Sequence, residues 1–331
     1  MTKRFAGLDQ WRGFAMVLVL INHGLKHTGW VEGLGRSGVN LFFVISGLLT
    51  ALSIKSLVNK KENYFLKLPL KRLWRLYPVL IIYFIILWAL GSISGNPIDD
   101  EVSLLYPFYC NYLPSRGFGV HHIWSITCEL HFYFLSPILF WLGTTLGRSG
   151  KFLMGALLLG LTCCMGLNFL VSKGLFPILE PHFINKYTTH VAVWPMLLGF
   201  CFVLYPMSIL SSFGKHLEVF QWKLIIFSVV ALFGVLLIKQ SGATVLVGLL
   251  LIPGLLVTYI NKLSLNGWAG QGLDWIGKRT YSIYLIQQTL TLDLPLDDSW
   301  KPFGALLAIP AGGVFYWALE SRFLGTPKFI R

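Results

Sequence analysis

The chain has 331 residues, of which 55% are hydrophobic and 12% charged, and its mean hydropathy is +0.66. This composition excludes a soluble globular protein, because too few polar side chains remain to cover a water-exposed surface. The net charge of +13 does not indicate nucleic-acid binding, since the basic residues cluster between apolar stretches. We therefore expect an all-α, polytopic protein embedded in a lipid bilayer.

Apolar windows of about twenty residues predict ten membrane-spanning helices. In chain order they are Leu8–Leu25, Val39–Leu57, Leu76–Ile93, Ile123–Gly143, Phe152–Val171, Val191–Leu210, Leu224–Ile238, Thr244–Ile260, Thr280–Leu292 and Phe303–Leu319. With the N-terminus inside, 20 of the 27 Lys and Arg residues fall in inner segments. Because cytoplasmic loops collect basic residues, we expect both termini in the cytoplasm and a single transmembrane domain over residues 1–331.

Two smaller features complete this prediction. The apolar run after the basic N-terminus continues without a small-residue cleavage site, which indicates a retained first helix rather than a signal peptide. The five cysteines follow neither a disulfide framework nor a metal-ligand spacing, so we interpret them as packing residues and expect no metal site.

The first predicted helix carries three ionisable side chains, Asp9, Arg12 and His23. Ionisable residues inside an apolar span are costly and usually functional. Arg12 and His23 are eleven positions apart, which returns them to nearly the same helix face. Asp9 would lie roughly 20 Å from His23 along an unbroken helix, so direct contact between them would need a break. Taken alone, His23 also fits an interfacial histidine with satisfied hydrogen bonds.

Motifs along the chain resemble, in order, those of one known family. LDQWRG begins an Arg-x10-His spacing that ends at His23 and is followed by GVNLFFVISG. The later motifs are KRLWRLYP at 71–78, WSITCELHFY at 124–133, GKRTYSIYLIQQ at 277–288 and YWALESRF at 316–323. Together they resemble the membrane-bound acyltransferase-3 family over nearly the whole chain.

This resemblance implies transfer of an acyl group, commonly acetyl from acetyl-CoA, to a hydroxyl of a glycan or glycolipid. His23 would be the general base, because a sugar hydroxyl is a poor nucleophile near neutral pH. Arg12 would stabilise negative charge or hold a phosphate, and Asp9 or Glu129 would orient the imidazole. Acyl-CoA would be a donor co-substrate rather than a permanently bound cofactor. The expected location is the bacterial cytoplasmic membrane.

The resemblance also bears on partners. Some members of the family are fused to an extracytoplasmic hydrolase-like domain, which does not follow in this sequence up to Arg331. We therefore expect this chain either to complete the transfer itself or to depend on a partner envelope protein. A homo-oligomer is also left open.

Three basic residues, Lys71, Arg72 and Arg75, lie at the expected start of the third helix, on the cytoplasmic side. They suit the phosphates of CoA, although such a cluster is also an ordinary positive-inside anchor. Glu129 lies about two turns into an apolar span, near His131. A carboxylate at that depth indicates function, unless Glu129 and His131 pair with each other.

The remaining candidates for substrate contact are polar or aromatic residues within the motifs: Asn40, Ser46, Trp124, Tyr281, Tyr284 and Gln287. Close packing of small residues is the alternative interpretation for the segment that contains Asn40 and Ser46. Gln287 departs from the family, whose closing segment usually runs into a histidine here. Glutamine cannot titrate near neutral pH, so a proton role at this position is lost.

A proton-coupled transporter or flippase of polar lipid-linked sugars is the alternative function. Several spans with buried Asp, Arg, His and Glu fit such a carrier. The sequence shows no inverted repeat and no matching pair of Gly/Pro-broken helices, which favours the acyltransferase hypothesis.

Overall fold

The computed structural model describes residues 5–25, 31, 33–94, 103–113, 120–172, 187–205, 251–260, 262–293 and 297–325. Within these ranges the regular structure is helical and contains no β-strand. The all-α prediction is therefore confirmed for the described part of the chain. The predicted span Leu224–Ile238 lies outside it, as do residues 206–210 and 244–250 of two other predicted spans.

The described α-helices are numbered here in chain order. They are α1 Ala6–Leu25, α2 Leu34–Asn59, α3 Tyr64–Ser94, α4 Trp124–Thr145, α5 Gly147–Ser172, α6 Thr189–Ala192, α7 Trp194–Leu204, α8 Leu251–Ile260, α9 Gly267–Lys278, α10 Thr280–Gln288 and α11 Lys301–Ala318. Short 3-10 segments lie at Tyr106–Phe108, Cys110–Tyr112, His121–Ile123, Asp298–Trp300 and Glu320–Phe323, and a π-helical segment at Thr289–Asp293.

In the part of the chain that the structure describes, the long apolar helices precede residue 146. Among the described residues, Leu34–Asn59, Tyr64–Ile93 and His121–Thr145 are long and apolar enough to cross a bilayer. Helices α7 and α8 are shorter apolar helices. The structure thus supports a membrane-associated helical protein, while the ten spans and the cytoplasmic termini stay predictions.

The predicted start of the third span is wrong. Helix α3 begins at Tyr64 rather than at Leu76, because the Asn63 side chain caps it and accepts hydrogen bonds from the backbone N–H groups of Phe65 and Leu66. The helix continues through Pro69 and Pro78. The basic triplet 71–75 therefore lies inside the helix, not at its start.

The predicted span Val191–Leu210 is interrupted in the structure. A short α6 ends at Ala192, and α7 begins at Trp194 with Pro195 in its first turn. Proline has no N–H to continue a helix that begins before it, but it fits the first turn of a new one.

The hydropathy windows did not predict α9. Its 12 residues include Gln271, Asp274 and Lys278 and are too polar for a hydropathy search.

The chain forms two compact units, the first made of Met1–Ile45 and Pro206–Ala318. In it α1 packs on α9, and α10 packs on α11. The contact of α1 with α9 needs glycine, because a side chain at Gly13 would collide with the Leu273 carbonyl, and one at Gly277 with the Asp9 carbonyl. Small residues of this kind let membrane-protein helices approach closely.

The second unit consists of Ser46–Tyr205 and Leu319–Arg331. In it α4 packs on both α3 and α5, and the 3-10 segment Glu320–Phe323 packs on α3. Helix α2 is continuous through the boundary between Ile45 and Ser46. The prediction of one domain over residues 1–331 stays a prediction.

Candidate active site

The predicted base, His23, lies near the C-terminal end of α1 and hydrogen-bonds a side chain of α10. Its Nδ1 is 2.6 Å from Oε1 of Gln287, a residue 264 positions away in the sequence. Gln287 is completely buried, whereas His23 is half-buried. An amide oxygen can only accept a hydrogen bond, so this contact favours the tautomer of His23 that carries its proton on Nδ1. The residue that departs from the family pattern therefore contacts the predicted base directly.

Local structure holds Gln287 in place. Its backbone carbonyl accepts a hydrogen bond from Thr291 Oγ1 at 2.7 Å, within the π-helical segment that follows α10. Such π-helical turns often occur at functional sites. Helix α10 also packs closely on α11. A side chain at Gly312 of α11 would collide with the side chain and backbone of Ile283 in α10. The acceptor for His23 is thus part of a packed helix rather than of a loop.

Asp9 and Arg12 pair with each other. The Arg12 Nη1 donates to Asp9 Oδ1 at 3.3 Å, with the Asp9 side chain only 4% exposed. Helix α1 is unbroken from Ala6 to Leu25, which keeps Asp9 roughly 20 Å from His23 along the helix. The place at Nδ1 that we expected an acid to fill is taken by Gln287. The catalytic roles of Asp9 and Arg12 stay predictions.

Glu129 lies in a hydrogen-bonded cluster within the second unit. Ser46 Oγ donates to one carboxylate oxygen at 2.5 Å, and Tyr133 Oη donates to the other at 3.1 Å. The Arg72 guanidinium lies 5.0 Å from the centre of the Tyr133 ring and donates to Ser53 Oγ at 3.3 Å. Tyr133 was not among the predicted site residues, although its i+4 spacing from Glu129 places both on one helix face.

The alternative that Glu129 pairs with His131 is wrong. His131 Nδ1 lies 2.6 Å from Thr189 Oγ1, and its Nε2 lies 2.7 Å from the Phe108 carbonyl oxygen. Two residues that are two positions apart on a helix point to different faces, so the imidazole and the carboxylate diverge. His131 instead ties α4 to the 3-10 segment Tyr106–Phe108 and to α6.

Comparison with known proteins decides the family. A family profile described as an acyltransferase domain, Acyl_transf_3, matches residues 5–318. The chain belongs to the acyltransferase-3 family. This confirms the resemblance that the five motifs indicated.

Two bacterial proteins are similar to this acyltransferase-3 chain. YrhL of Bacillus subtilis, named as a candidate peptidoglycan O-acetyltransferase, is 25% identical over 89% of this chain and 50% of its own length. OatA of Listeria monocytogenes, named as a peptidoglycan O-acetyltransferase, is 24% identical over 98% of this chain and 56% of its own length. The chain thus spans about half the length of the curated relatives it matches. No solved structure gives a significant match.

The basic residues of this acyltransferase-3 chain are held by acids of the second unit. Arg75 Nη2 lies 3.9 Å from Oε1 of Glu320, which is completely buried. Lys71 Nζ lies 3.8 Å from Oε2 of Glu62, at the turn before α3. These ion pairs hold Lys71 and Arg75, and the third predicted CoA-binding cation, Arg72, donates to Ser53 Oγ. Donor binding itself stays a prediction.

The other predicted contact residues are mostly buried. Asn40 is 3% exposed, and its Oδ1 has no hydrogen-bond partner among the described residues. The buried Trp124 ring lies 5.0 Å from that of Tyr187. Tyr284 is buried and Tyr281 half-buried, both on the helix that carries Gln287. Their roles in substrate binding stay predictions.

Proposed function

We propose that this chain transfers an acyl group, in the first instance acetyl, from acyl-CoA to a hydroxyl of a cell-envelope glycan or lipid-linked sugar. The observation that carries the proposal is the His23 imidazole held by a buried amide on a packed helix of an acyltransferase-3 chain. The names of the two relatives support peptidoglycan, or its lipid-linked precursor, as the acceptor class. The proposed location is the bacterial cytoplasmic membrane, crossed several times.

The proposed reaction is a direct transfer. The Nε2 of His23 accepts the proton of the sugar hydroxyl as the hydroxyl oxygen attacks the thioester carbonyl carbon. The carbon–sulfur bond then breaks, and the imidazolium returns the proton to the leaving CoA thiolate. Positioned proton transfer of this kind contributes roughly 10²–10⁴-fold to a rate. The products are an O-acyl ester and free CoA, so no net proton is released.

The basic triplet of α3 is the proposed anchor for the phosphates of CoA. Lys71, Arg72 and Arg75 are adjacent on one helix, and guanidinium groups bind phosphate by paired hydrogen bonds. In our proposal the triplet exchanges part of its contacts with Glu62 and Glu320 for donor phosphates.

Purified full-length protein in lipid nanodiscs, incubated with radiolabelled acetyl-CoA and either peptidoglycan fragments or lipid-linked precursor, tests the reaction. We expect label in an alkali-labile O-ester for the wild type and none above background for His23→Ala. A carrier would leave no acylated product, and full activity in His23→Ala would show that this residue is not the base.

The donor site is tested separately by steady-state kinetics. We expect Arg72→Ala with Arg75→Ala to raise the KM for acetyl-CoA by roughly a hundredfold or more, since each of the two charge-assisted contacts contributes roughly 1.5–3 kcal/mol. Lys67→Ala, which removes a neighbouring cation of the same helix, is the matched control and should leave KM unchanged. An unaltered KM in the double variant would remove the triplet from the donor site.

A further inference from the structure

The side-chain amide of Gln287 presents two different groups in the first unit. Its oxygen is 2.6 Å from His23 Nδ1. Its nitrogen is buried and has no hydrogen-bond partner among the described residues. A buried N–H donor without an acceptor is destabilising, so such a donor next to a titratable group indicates a place for a ligand oxygen.

The oxygen determines which imidazole nitrogen can act as a base. Neutral imidazole has one protonated and one unprotonated nitrogen, and the hydrogen bond at one nitrogen sets the state of the other. An amide oxygen at Nδ1 selects the Nδ1–H form, which leaves the lone pair on Nε2. A histidine side chain in water favours the opposite, Nε2–H tautomer, so the contact with Gln287 shifts His23 toward the Nδ1–H form.

The charge state of His23 also depends on whether the group at its Nδ1 is an amide or a carboxylate. A carboxylate at Nδ1 would favour the charged imidazolium, whereas an amide is neutral at every pH and adds no charge to the site. The side-chain nitrogen and oxygen of Gln287 are bonded to the same carbon. The N–H donor that has no partner among the described residues therefore lies next to the oxygen that contacts His23. Donors placed there can stabilise negative charge that develops on a carbonyl oxygen during acyl transfer.

We propose that Gln287 is a positioning residue that holds His23 in the Nδ1–H tautomer, and that its buried amide nitrogen donates to the acyl carbonyl oxygen of the bound thioester. This inference rests on the proposed function for the identity of the ligand. The tautomer itself depends only on the contact between the two side chains.

The tautomer is tested without any activity measurement. Nitrogen NMR of the full chain labelled with [¹⁵N]histidine, with the His23 signals assigned by comparison with His23→Gln, reports the protonation of each ring nitrogen. At a pH where His23 is neutral, we expect protonated Nδ1 and unprotonated Nε2. In Gln287→Met, which has a similar size but no acceptor for Nδ1–H, the signals should move toward the Nε2–H form. A wild-type His23 protonated at Nε2 would overturn the proposal, whether or not the protein transfers acyl groups.

The donor is tested by kinetics on three variants. Gln287→Met should lower kcat by about tenfold to a hundredfold with little change in the KM for acetyl-CoA, as expected for an interaction made in the transition state. Gln287→Glu keeps an acceptor for Nδ1–H but has no N–H donor, and its carboxylate favours the charged imidazolium. We therefore expect its kcat to stay low even at alkaline pH, where the imidazole is neutral again and only the missing donor remains. Full activity in Gln287→Glu would overturn the donor role.

Gln288→Met is the matched control, because Gln288 is a buried glutamine one position along the same helix. We expect it to keep kcat within about twofold of the wild type, well short of the change in Gln287→Met. An equal loss of kcat in both variants would mean that any change in this helix impairs the enzyme, and would overturn the specific role of Gln287.

Discussion

The two units stabilise their helices by different means. In the first unit the described ion pairs are local, between residues three or four positions apart: Asp9 with Arg12, Asp274 with Lys278 and Asp298 with Lys301. Local pairs of this kind stabilise a single turn and do not determine how helices pack. Contacts between helices there include the glycine contacts, the His23–Gln287 hydrogen bond, the hydrogen bond from Gln10 of α1 to the Gly270 carbonyl of α9, and the Arg279 guanidinium over the Tyr316 ring of α11.

The second unit uses charge and aromatic contacts between elements. Arg75 of α3 pairs with buried Glu320 of a 3-10 segment, and Arg72 of α3 lies over the Tyr133 ring of α4. Because of this difference, the positions of charged residues along the sequence do not by themselves indicate which side chain contacts the proposed base, His23. The first unit places its half-buried histidine next to a neutral amide, whereas Arg75 of the second unit pairs with a buried carboxylate.

The sharpest comparison is between His23 and His131, one in each unit. We expect His23→Ala to lose acyl transfer by roughly 10²–10⁴-fold per folded molecule, since the imidazole is the proposed base. It should also cost about 1–3 kcal/mol of stability, because the buried Gln287 amide loses its partner. His131→Ala should lose stability only and keep acyl transfer per folded molecule. It leaves Thr189 and the Phe108 carbonyl without their imidazole partner and should cost about 1–3 kcal/mol of stability. Product formation per folded molecule and unfolding in detergent, followed by tryptophan fluorescence, measure the two effects.

The glycine contact of the first unit gives the next largest effect. Gly277→Ala should destabilise by about 1–3 kcal/mol, because the added methyl group overlaps the Asp9 carbonyl of α1. Gly272→Ala is the same change on the same helix, but nothing lies within 4 Å of the added methyl group. Gly272→Ala should raise the free energy of unfolding by about 0.5–1 kcal/mol, because alanine is more favourable than glycine inside a helix. Equal denaturation midpoints for the two variants would contradict the close packing of α1 with α9.

The ion pair between Arg75 and Glu320 tests the second unit. A double-mutant cycle with Arg75→Met and Glu320→Gln should give a coupling energy of about 1 kcal/mol in the free energy of unfolding. The 3.9 Å separation and the one-third exposure of Arg75 keep this below the value for a fully buried pair. Additive effects of the two changes would mean that this pair does not join α3 to the 3-10 segment.

The smallest expected effect is at Glu62, outside the membrane-spanning segments. The hydrogen bond with Lys67, together with the positive charges of Lys67, Lys71 and Lys60, lowers the pKa of the half-buried Glu62 carboxyl. A lowered folded-state pKa gives stability that is present above the unfolded pKa and is lost as the pH falls through the folded one. Glu62→Gln should therefore be slightly less stable than the wild type at neutral pH and equal to it in acid. Parallel stability curves over this pH range would contradict the assignment.

Part of the candidate site was predictable from the sequence. Arg12 and His23 share a helix face because their spacing is close to a whole number of turns, and α1 is indeed continuous. The Asp9–Arg12 pair also follows from local spacing. Predictions failed where a local break or a long-range contact decided the outcome. Pro195 lies in the first turn of α7, which is separated from α6 within a stretch that hydropathy alone treats as one span. The Asn63 cap begins α3 twelve residues before the predicted start.

The sequence by itself determined the membrane class, the all-helical structure and the family, because composition and ordered motifs are properties of the linear chain. Only the tertiary structure decided the partners of the ionisable groups. No spacing rule joins residues 264 positions apart, so the contact of His23 with Gln287 depends on the packing of α1 with the helices near the end of the first unit. The same holds for the contact of Glu129 with Ser46, 83 positions away in the sequence. The other partner of Glu129, Tyr133, lies four positions along the same helix and follows from local spacing.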